Sequence, residues 1–326
     1  MKMPSISDTT VELVHWVFPE HAGAPGQIHG GRMMEWIAQA GTLAASRLAR
    51  GMVGLGAMDD IDFLQPVKVG EIAILRAQVE SVGTSSLEVG VRVWAENVKT
   101  GRRAVTLNAH LVFVAVDEHG KPRPVGERIE PRDDAERQIL TAARGRRERR
   151  LARFAEREAR LRETAREDAG LQWTFESVRV TLPEDALFGD MMFAGKMLMQ
   201  LDEAGGILSM RFCRGLVMTA CLDAMDFYTP IFTHEVVTFQ AGLNYVGTSS
   251  LEIGIKVVAE KPNTGEVRHA CTAFLTYVNL GEDLRPRPCR TFTPESPAER
   301  RRWDAALVRR EHRLERVKRL KASIRG

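Results

Sequence analysis

The pattern of hydrophobic and polar residues in the first part of the chain predicts one strand, one long helix and then several strands. Residues 10–17 (TVELVHWV) alternate between apolar and polar side chains, as a half-buried strand does. A turn-rich loop then opens into a helical pattern whose apolar positions share one face: Met33, Ile37, Ala40, Ala44 and Leu48. Apolar, β-branched runs follow, separated by Gly, Pro and charged turns. The pattern indicates an α+β module with one helix on an antiparallel sheet of about five strands.

The same pattern occurs twice, with an offset of 164 residues. Residues 82–96 (VGTSSLEVGVRVWAE) and 246–260 (VGTSSLEIGIKVVAE) are identical at 11 of 15 positions, and the offset also aligns Asp62 with Asp226. Solenoid repeats have periods of about 20–50 residues, so this period indicates two copies of one domain. We expect the two copies to pair around a pseudo-twofold axis.

Each copy is followed by a charged segment with a helical pattern. Residues 132–168 contain 12 Lys and Arg against 9 Asp and Glu, and residues 299–326 contain 11 against 4. Such segments usually form solvated helices. Each has a thin apolar stripe, which we expect to pack on its own domain or on a neighbouring subunit: Leu140, Leu151, Phe154 and Leu161, and Trp303, Leu314, Val317 and Ile324. The predicted domains are residues 1–130, a charged helical tail at 131–170, residues 171–293, and a basic C-terminal helix at 294–326.

The composition is that of a soluble globular protein. The chain has 326 residues, 44% of them hydrophobic and 27% charged, which excludes wholesale disorder and a collagen-like chain. It contains no apolar run long enough for a membrane span or a signal peptide, so a cytoplasmic location is expected. None of the four cysteines forms a CxxC pair, and we expect reduced, buried thiols: Cys213, Cys221, Cys271 and Cys289.

Motifs of several enzyme classes are absent. The sequence has no G-x-S-x-G, no G-x-x-x-x-G-K-[ST], no H-E-x-x-H and no G-x-G-x-x-G after a strand. Serine hydrolase, NTPase, zinc protease and Rossmann interpretations therefore lose support. The Arg-rich tails lack the interleaved aromatic residues of nucleic-acid-binding modules, so no nucleic-acid partner is expected.

The sequence resembles the hotdog-fold acyl-CoA thioesterases, specifically the tandem (double-hotdog) acyl-CoA hydrolases. The first copy carries FPEHAGAPGQIHGGRMMEWIAQAG and DFLQPVKVGE, and the second carries LPEDALFGDMMFAGKMLMQLDEAG and DFYTPIFTHE. The likeness covers most of residues 10–125 and 174–289. It implies two tandem hotdog domains, each a long central helix wrapped by an antiparallel sheet, that form an intrachain pseudo-dimer. It also implies hydrolysis of acyl-CoA to a free acid and CoA without a metal or organic cofactor, and a homo-oligomer built as a trimer of double-hotdog chains.

In the family, an acid early in one central helix acts as general base or nucleophile, and backbone N–H groups after a glycine pair polarise the thioester carbonyl. The resemblance places the acid at Asp202 and the glycine pair at Gly30 and Gly31. Helical geometry puts Asp202 on the rim of the apolar face, where it is partly desolvated. The first copy has Ala38 instead of the acid, so one competent site is expected, formed by the first loop and the second helix.

The sequence departs from the family at the loop asparagine that faces this acid. Gly23 and Leu187 occupy its two positions, and Gln27 and His29 are the polar candidates in the first loop. The repeated VGTSSLE block offers hydroxyls that could bind pantetheine or phosphate, although such residues more often form turns: Thr84, Ser85, Thr248 and Ser249.

Two alternatives remain open. Loss of the loop asparagine and of the first acid would fit a catalytically reduced acyl-CoA-binding protein. A hotdog dehydratase, which uses a loop histidine against a helix acid, is a further candidate because His21 and His29 lie in the loop expected to face Asp202.

Overall fold

The computed structural model describes residues 3–164 and 170–325, with side chains described for residues 3–154 and 170–320. The first half contains β1 (Val11–Trp16), α1 (Gly30–Ala49), β2 (Val53–Met58), β3 (Ile61–Asp62), β4 (Ile72–Val82), β5 (Ser86–Glu96) and β6 (Arg103–Ala115), followed by α2 (Asp134–Thr164). The second half contains β7 (Thr174–Val180), β8 (Ala186–Phe188), β9 (Met191–Met192), α3 (Ala194–Cys213), β10 (Val217–Leu222), β11 (Met225–Asp226), β12 (Val236–Val246), β13 (Ser250–Lys261) and β14 (Glu266–Asn279), followed by α4 (Pro297–Arg325).

Each half contributes five strands to a six-stranded antiparallel sheet, and the sixth strand comes from the other half. The strand orders are β1-β4-β5-β6-β2-β11 and β3-β10-β14-β13-β12-β7. The two-residue strand β11 pairs with β2, and β3 pairs reciprocally with β10. The α+β module and its pairing within one chain are confirmed. The exchanged strands were not predicted, because two residues carry no readable periodicity.

The central helices α1 and α3 lie against each other and against the two sheets. Ile37 on α1 and Leu201 on α3 are fully buried in one continuous apolar core. Glycines allow the helices to approach the sheets closely. A Cβ at Gly41 would lie 2.9 Å from the Phe113 ring, and a Cβ at Gly205 would lie 2.3 Å from the hydroxyl of Tyr277.

The charged tails are not simply solvated helices, contrary to the sequence-based expectation. On α2, Arg150 is buried and its guanidinium forms ion pairs with Glu88 and Asp59, where Nη1 lies 2.7 Å from the Asp59 carboxylate. Arg146 and Arg153, one turn away on either side, bind further sheet carboxylates. These three arginines are spaced as i, i+4 and i+7, so they share the helix face that lies on the sheet.

The second tail repeats this arrangement on α4. Arg313 pairs with Asp223 and with Glu252, the latter at 2.8 Å, and Arg309 lies 2.6 Å from Glu252. Arg316 reaches Asp62 of the first half at 2.6 Å.

The predicted apolar stripes pack on their own domain only in part: Trp303 lies against Tyr245, with ring centroids 4.5 Å apart, whereas three other stripe residues point outward. Leu151, Phe154 and Leu314 are 59%, 38% and 56% exposed, so they do not pack on their own domain. Leu161 and Ile324 lie outside the residues whose side chains are described. The alanines Ala143 and Ala306 are fully buried instead, because small residues let an Arg-lined helix face lie close to the sheet.

The expectation of four buried thiols is wrong at Cys289, which is only half-buried, whereas the other three cysteines are buried and all four are free. Burial raises the pKa of the Cys213 thiol to about 12, so this thiol is protonated at neutral pH. Among the helices described, none has the length and apolar character of a membrane-spanning segment.

Candidate active site

Asp202 lies on the side of α3 that faces the N-terminus of α1. Its residue surface is 1% exposed, so it is buried between the halves and not at a partly solvated rim as helical geometry had suggested. Helical geometry considered α3 alone, whereas the buried position results from contacts with Gly31 of the first half and with Thr219 and Tyr277 of the second half.

Three donors from three different elements bind the Asp202 carboxylate. The N–H of Gly31 donates to Oδ2 at 2.6 Å, the Thr219 hydroxyl donates to Oδ1 at 2.8 Å, and the Tyr277 hydroxyl donates to Oδ1 at 3.1 Å. An ionised carboxylate can only accept hydrogen bonds, so this set of donors is matched to the anion. The carboxylate is therefore fixed in orientation at the positive end of the α1 dipole.

The glycine pair allows α1 to approach this carboxylate. A Cβ at Gly30 would lie 2.6 Å from both the Cβ and the Oγ1 of Thr219, and a Cβ at Gly31 would lie 3.0 Å from the Cβ of Asp202. Any other residue at these two positions would push the helix N-terminus away from the acid.

His29 caps α1 beside the acid. Its Nδ1 accepts the N–H of Gly31 at 3.1 Å and lies 3.4 Å from Oδ2 of Asp202. The N–H of Gly30, the first residue of α1, is accepted by none of the described residues. The structure therefore distinguishes the two glycines: Gly31 holds the acid, while Gly30 has a free donor beside it.

The loop before α1 holds the other polar candidate, Gln27. Its side-chain Oε1 is buried and meets no donor within the described part of the chain. The N–H of Gly23 donates to the main-chain oxygen of Gln27 at 3.1 Å, which closes the loop. Leu187 lies at the corresponding place in the second half and is 52% exposed. Neither Gly23 nor Leu187 can supply the amide of the family's asparagine.

His21 does not reach Asp202 in this arrangement. Its ring lies edge-on to Trp36 with centroids 5.1 Å apart, and its carbonyl accepts the N–H of His29 at 2.8 Å. Of the two histidines considered for a dehydratase, His29 alone contacts the acid.

The hydroxyl residues of the repeated block lie in hairpins. Their main chains bind the end of β6 and the segment after β14: Ser85 accepts the N–H of Ala115, and Thr248 accepts the N–H of Cys289, both at 2.8 Å. Within the described residues no hydrogen bond connects this hairpin set to Asp202: Thr84, Ser85, Thr248 and Ser249.

Sequence analysis missed Thr219 and Tyr277. Burial raises the pKa of the Tyr277 phenol well above its ordinary value, and the adjacent Asp202 carboxylate raises it further, so Tyr277 remains a donor. The signal was present in the repeat, because the first copy has Leu55 and Phe113 at these positions, next to its Ala38. A search for positions that are polar in the second copy and apolar in the first would have found Thr219 and Tyr277.

We call the counterpart of this site, formed by α1 and β2 with residues 187–195, the acid-free interface. Ala38 leaves it without the helix acid, although Glu35, one turn earlier on α1, is buried. Glu35 forms an ion pair with Arg32, and Lys196 Nζ lies 3.6 Å from its other oxygen. Glu35, the acidic residue of α1 that is nearest to Ala38 in the sequence, is therefore paired with two cations.

A metal site was not found in the described part of the chain, where no three His, Cys, Asp or Glu side chains cluster as ligands.

Comparisons with known proteins place this geometry in a family. The model of the thioesterase superfamily matches residues 25–102 and, again, residues 189–266. The cytosolic acyl coenzyme A thioester hydrolase of Mus musculus is 26% identical over 300 residues, covering 88% of this chain and 78% of that protein. Protein VdlD of Helicobacter pylori is 35% identical over 134 residues, or 41% of this chain and 76% of that protein.

Among solved structures, an acyl-CoA hydrolase of Staphylococcus aureus in complex with butyryl coenzyme A and coenzyme A is 32% identical. It matches 51% of this chain and 100% of its own, with a TM-score of 0.47. The chain belongs to the thioesterase superfamily, with two tandem hotdog domains.

Proposed function

We propose that the chain hydrolyses acyl-CoA thioesters to a free acid and CoA at the interface that contains Asp202. The observation that carries this proposal is the buried carboxylate at the N-terminus of α1, bound by Gly31, Thr219 and Tyr277. The relatives named acyl coenzyme A thioester hydrolases support the substrate class. CoA enters as part of the substrate, and the proposed chemistry uses no metal or organic cofactor.

In the proposed reaction Asp202 acts as general base on a water or as the nucleophile itself, and the leaving group is the CoA thiolate. The thioester oxygen takes the free N–H of Gly30, where the α1 dipole stabilises developing negative charge. Gly31 holds Asp202 in place and joins the oxyanion site only if its N–H leaves the carboxylate. Substrate approaches past His29, whose side chain is 24% exposed beside the acid.

Gln27 is proposed to take the role of the missing loop asparagine. Its unpaired, buried Oε1 lies in the loop of the first half, as the asparagine would. A buried amide oxygen without a donor is unfavourable by about 1–3 kcal/mol, so it is suited to accept a hydrogen bond from the attacking water.

The test is CoA release from acyl-CoAs of short to long chains. Asp202→Asn should reduce kcat by about 100-fold or more, because it removes a general base. Glu203→Gln is the matched control, since Glu203 is the adjacent and exposed carboxylate on α3, and it should retain full activity. Gln27→Ala should lower kcat while Asp202 remains functional.

The same assay separates the alternatives. A wild-type protein that binds acyl-CoA without releasing CoA would be the catalytically reduced binding protein. Hydration of an enoyl-CoA without CoA release would identify a dehydratase, which the contact of His29 with Asp202 makes chemically reasonable.

We propose a trimer of these chains in the cytosol, the location in the name of the mouse relative. The edge strands β1 and β7 support assembly, because each ends in large apolar residues that are 42–59% exposed and related by the 164-residue offset: Val14, Trp16 and Phe18, and Val178, Val180 and Leu182. Such exposed apolar residues on an edge strand are typical of an interaction surface.

A further inference from the structure

We propose that the acid-free interface binds the acyl chain of a fatty acid, free or as its CoA thioester, without hydrolysing it. This ligand class rests on the proposed acyl-CoA hydrolysis. The starting observation is a cavity of about 330 Å³ between the two halves. Its volume lies within the range of small-molecule pockets, about 300–1,000 Å³.

The cavity is the counterpart, in the repeat, of the interface that contains Asp202, which we call the reactive interface. Its walls include Leu55 of β2 and Phe193 of the loop before α3. The offset of 164 residues relates these positions to Thr219 and His29, which surround Asp202. The fold therefore forms the same kind of cleft twice, once with an acid and once without.

Each polar side chain of the reactive interface has an apolar counterpart at the acid-free interface. The pairs are Asp202 and Ala38, Thr219 and Leu55, Tyr277 and Phe113, His29 and Phe193, and Gln27 and Met191. Gly30 is matched by Ala194, and the main-chain N–H groups of both are accepted by none of the described residues. A thioester at the acid-free interface meets neither a base nor a free hydroxyl at these positions, so it is held intact.

The wall chemistry favours a flexible hydrocarbon. Three methionines line the cavity, Met191, Met192 and Met197, and unbranched thioether side chains adapt to ligands of different shape. Burial of apolar ligand surface against such walls favours binding. Leu187 lines the cavity and is 52% exposed, so it marks the place where the chain enters.

Titration calorimetry of the full chain tests the proposal, with the thioether analogue of decanoyl-CoA as one probe and decanoic acid as the other. Leu187→Asp places a charge at the entrance without disturbing the core. Val98→Asp is the control, because Val98 is 46% exposed in the β5–β6 turn away from the cavity. Gly54→Val provides a second variant, since a Cβ at Gly54 faces Met191 across the cavity, 3.6 Å from its sulfur.

We expect the wild-type chain and Val98→Asp to bind two equivalents of probe. Leu187→Asp and Gly54→Val should bind one equivalent and release CoA at the wild-type rate.

The probe that occupies the second site identifies the ligand. If a second equivalent of decanoic acid alone binds, the ligand is the free acid; if a second equivalent of the thioether binds, the ligand is the CoA thioester. A wild-type chain that releases CoA but binds one equivalent of either probe overturns the proposal. So does a second equivalent that both variants retain. Absence of CoA release, with second-site binding that still depends on Leu187, contradicts the proposed function and supports this site.

Discussion

At the scale of single residues, the reactive interface differs from its counterpart in a few side chains that act together. An acid in the place of Ala38 alone would lack both hydroxyl donors, because Leu55 and Phe113 occupy the positions of Thr219 and Tyr277. A buried carboxylate with too few donors is unfavourable, so the acid, Thr219 and Tyr277 form one unit. Thr219 and Tyr277 are positioning residues, because they contact the acid and not the proposed position of the thioester.

We therefore predict that Thr219→Val and Tyr277→Phe each lower kcat by about 10- to 100-fold, since a hydrogen bond to a charged group contributes about 1.5–3 kcal/mol. KM should change little, because neither side chain is proposed to bind substrate. Steady-state kinetics on one acyl-CoA measures both constants.

Thr106→Val is the control for this prediction. Thr106 is 1% exposed and its hydroxyl bonds the carbonyl of Val93 at 3.2 Å, so the variant loses a buried hydrogen bond outside the site. It should reduce stability but leave kcat unchanged. An equal loss of kcat in all three variants would show that general destabilisation, not positioning of Asp202, is responsible.

The proximity of Asp202 to the glycine pair could be predicted because both lie in blocks that resemble a family, while their catalytic roles stay a prediction. The burial of Asp202 could not be predicted from its helix alone, since the atoms that enclose it come from Gly31, Thr219 and Tyr277, up to 171 residues away. The free N–H of Gly30 could not be predicted either. Whether the carboxylate accepts the N–H of Gly30 or that of Gly31 depends on the tertiary geometry.

At the scale of elements, the tail helices pack mainly through buried arginines, and of the predicted apolar stripes Trp303 packs against the core. Periodicity correctly indicated helices, but it predicted that Leu151 faces the protein. In the structure Arg150 faces the protein instead. The outer face of the first sheet carries the buried carboxyl groups of Glu80 and Glu88, and both contact arginines of α2. Which face of a helix is buried thus depends on the surface it meets, which the sequence of the helix does not contain.

The adjacent arginines of α2 provide a direct test of this packing. Arg150→Met should destabilise the protein by about 3–5 kcal/mol, because it leaves Glu88 and Asp59 short of a buried partner. Arg149→Met changes an exposed arginine of the same helix and should have an effect within about 0.5 kcal/mol. Urea unfolding measures both, and equal stabilities of the two variants would contradict a buried role for Arg150.

Glu80 of β4 pairs with Arg146 of α2, and it makes the stability of the protein depend on pH. Burial raises the pKa of Glu80 to about 7, although Arg146 opposes the shift. The folded protein thus keeps this proton up to about pH 7, whereas the unfolded chain releases it near the ordinary value of 4.5. The resulting stabilisation is complete below pH 4.5 and is lost as the pH rises through about 7.

Glu80→Gln replaces the protonated form with a neutral amide, much as the second copy has Asn244 at this position. The unfolding free energy of wild type minus that of the variant should fall between pH 4.5 and 7, because the folded wild type keeps a proton that the unfolded chain has already released. Urea unfolding at several pH values measures this difference. A difference that stays constant over this range, or rises with pH, would show that Glu80 is ionised throughout.

At the scale of the whole molecule, the two halves are joined by reciprocal contacts. Each half contributes a two-residue strand to the sheet of the other half. An arginine at equivalent positions of the two tails binds this strand: Arg153 contacts Asp226 at 2.8 Å, and Arg316 contacts Asp62 at 2.6 Å. The pseudo-twofold symmetry is therefore preserved in the ion pairs as well as in the sheets. It also places the two edge strands, β1 and β7, at equivalent positions of the molecule.

Two equivalent apolar edges per chain have a consequence for assembly. If each edge meets an edge of a neighbouring chain, the chains close into a ring, whereas an edge left unpaired would remain open to aggregation. The resemblance to double-hotdog hydrolases implies three chains in this ring. We predict a native mass of three chains by sedimentation equilibrium. The double variant Val14→Lys and Val178→Lys, which charges both edges, should have the mass of one chain, while Val267→Lys, at a 61% exposed position on β14, should remain trimeric. A wild-type mass of one chain, or a charged variant that stays trimeric, would show that these edges do not form the interface.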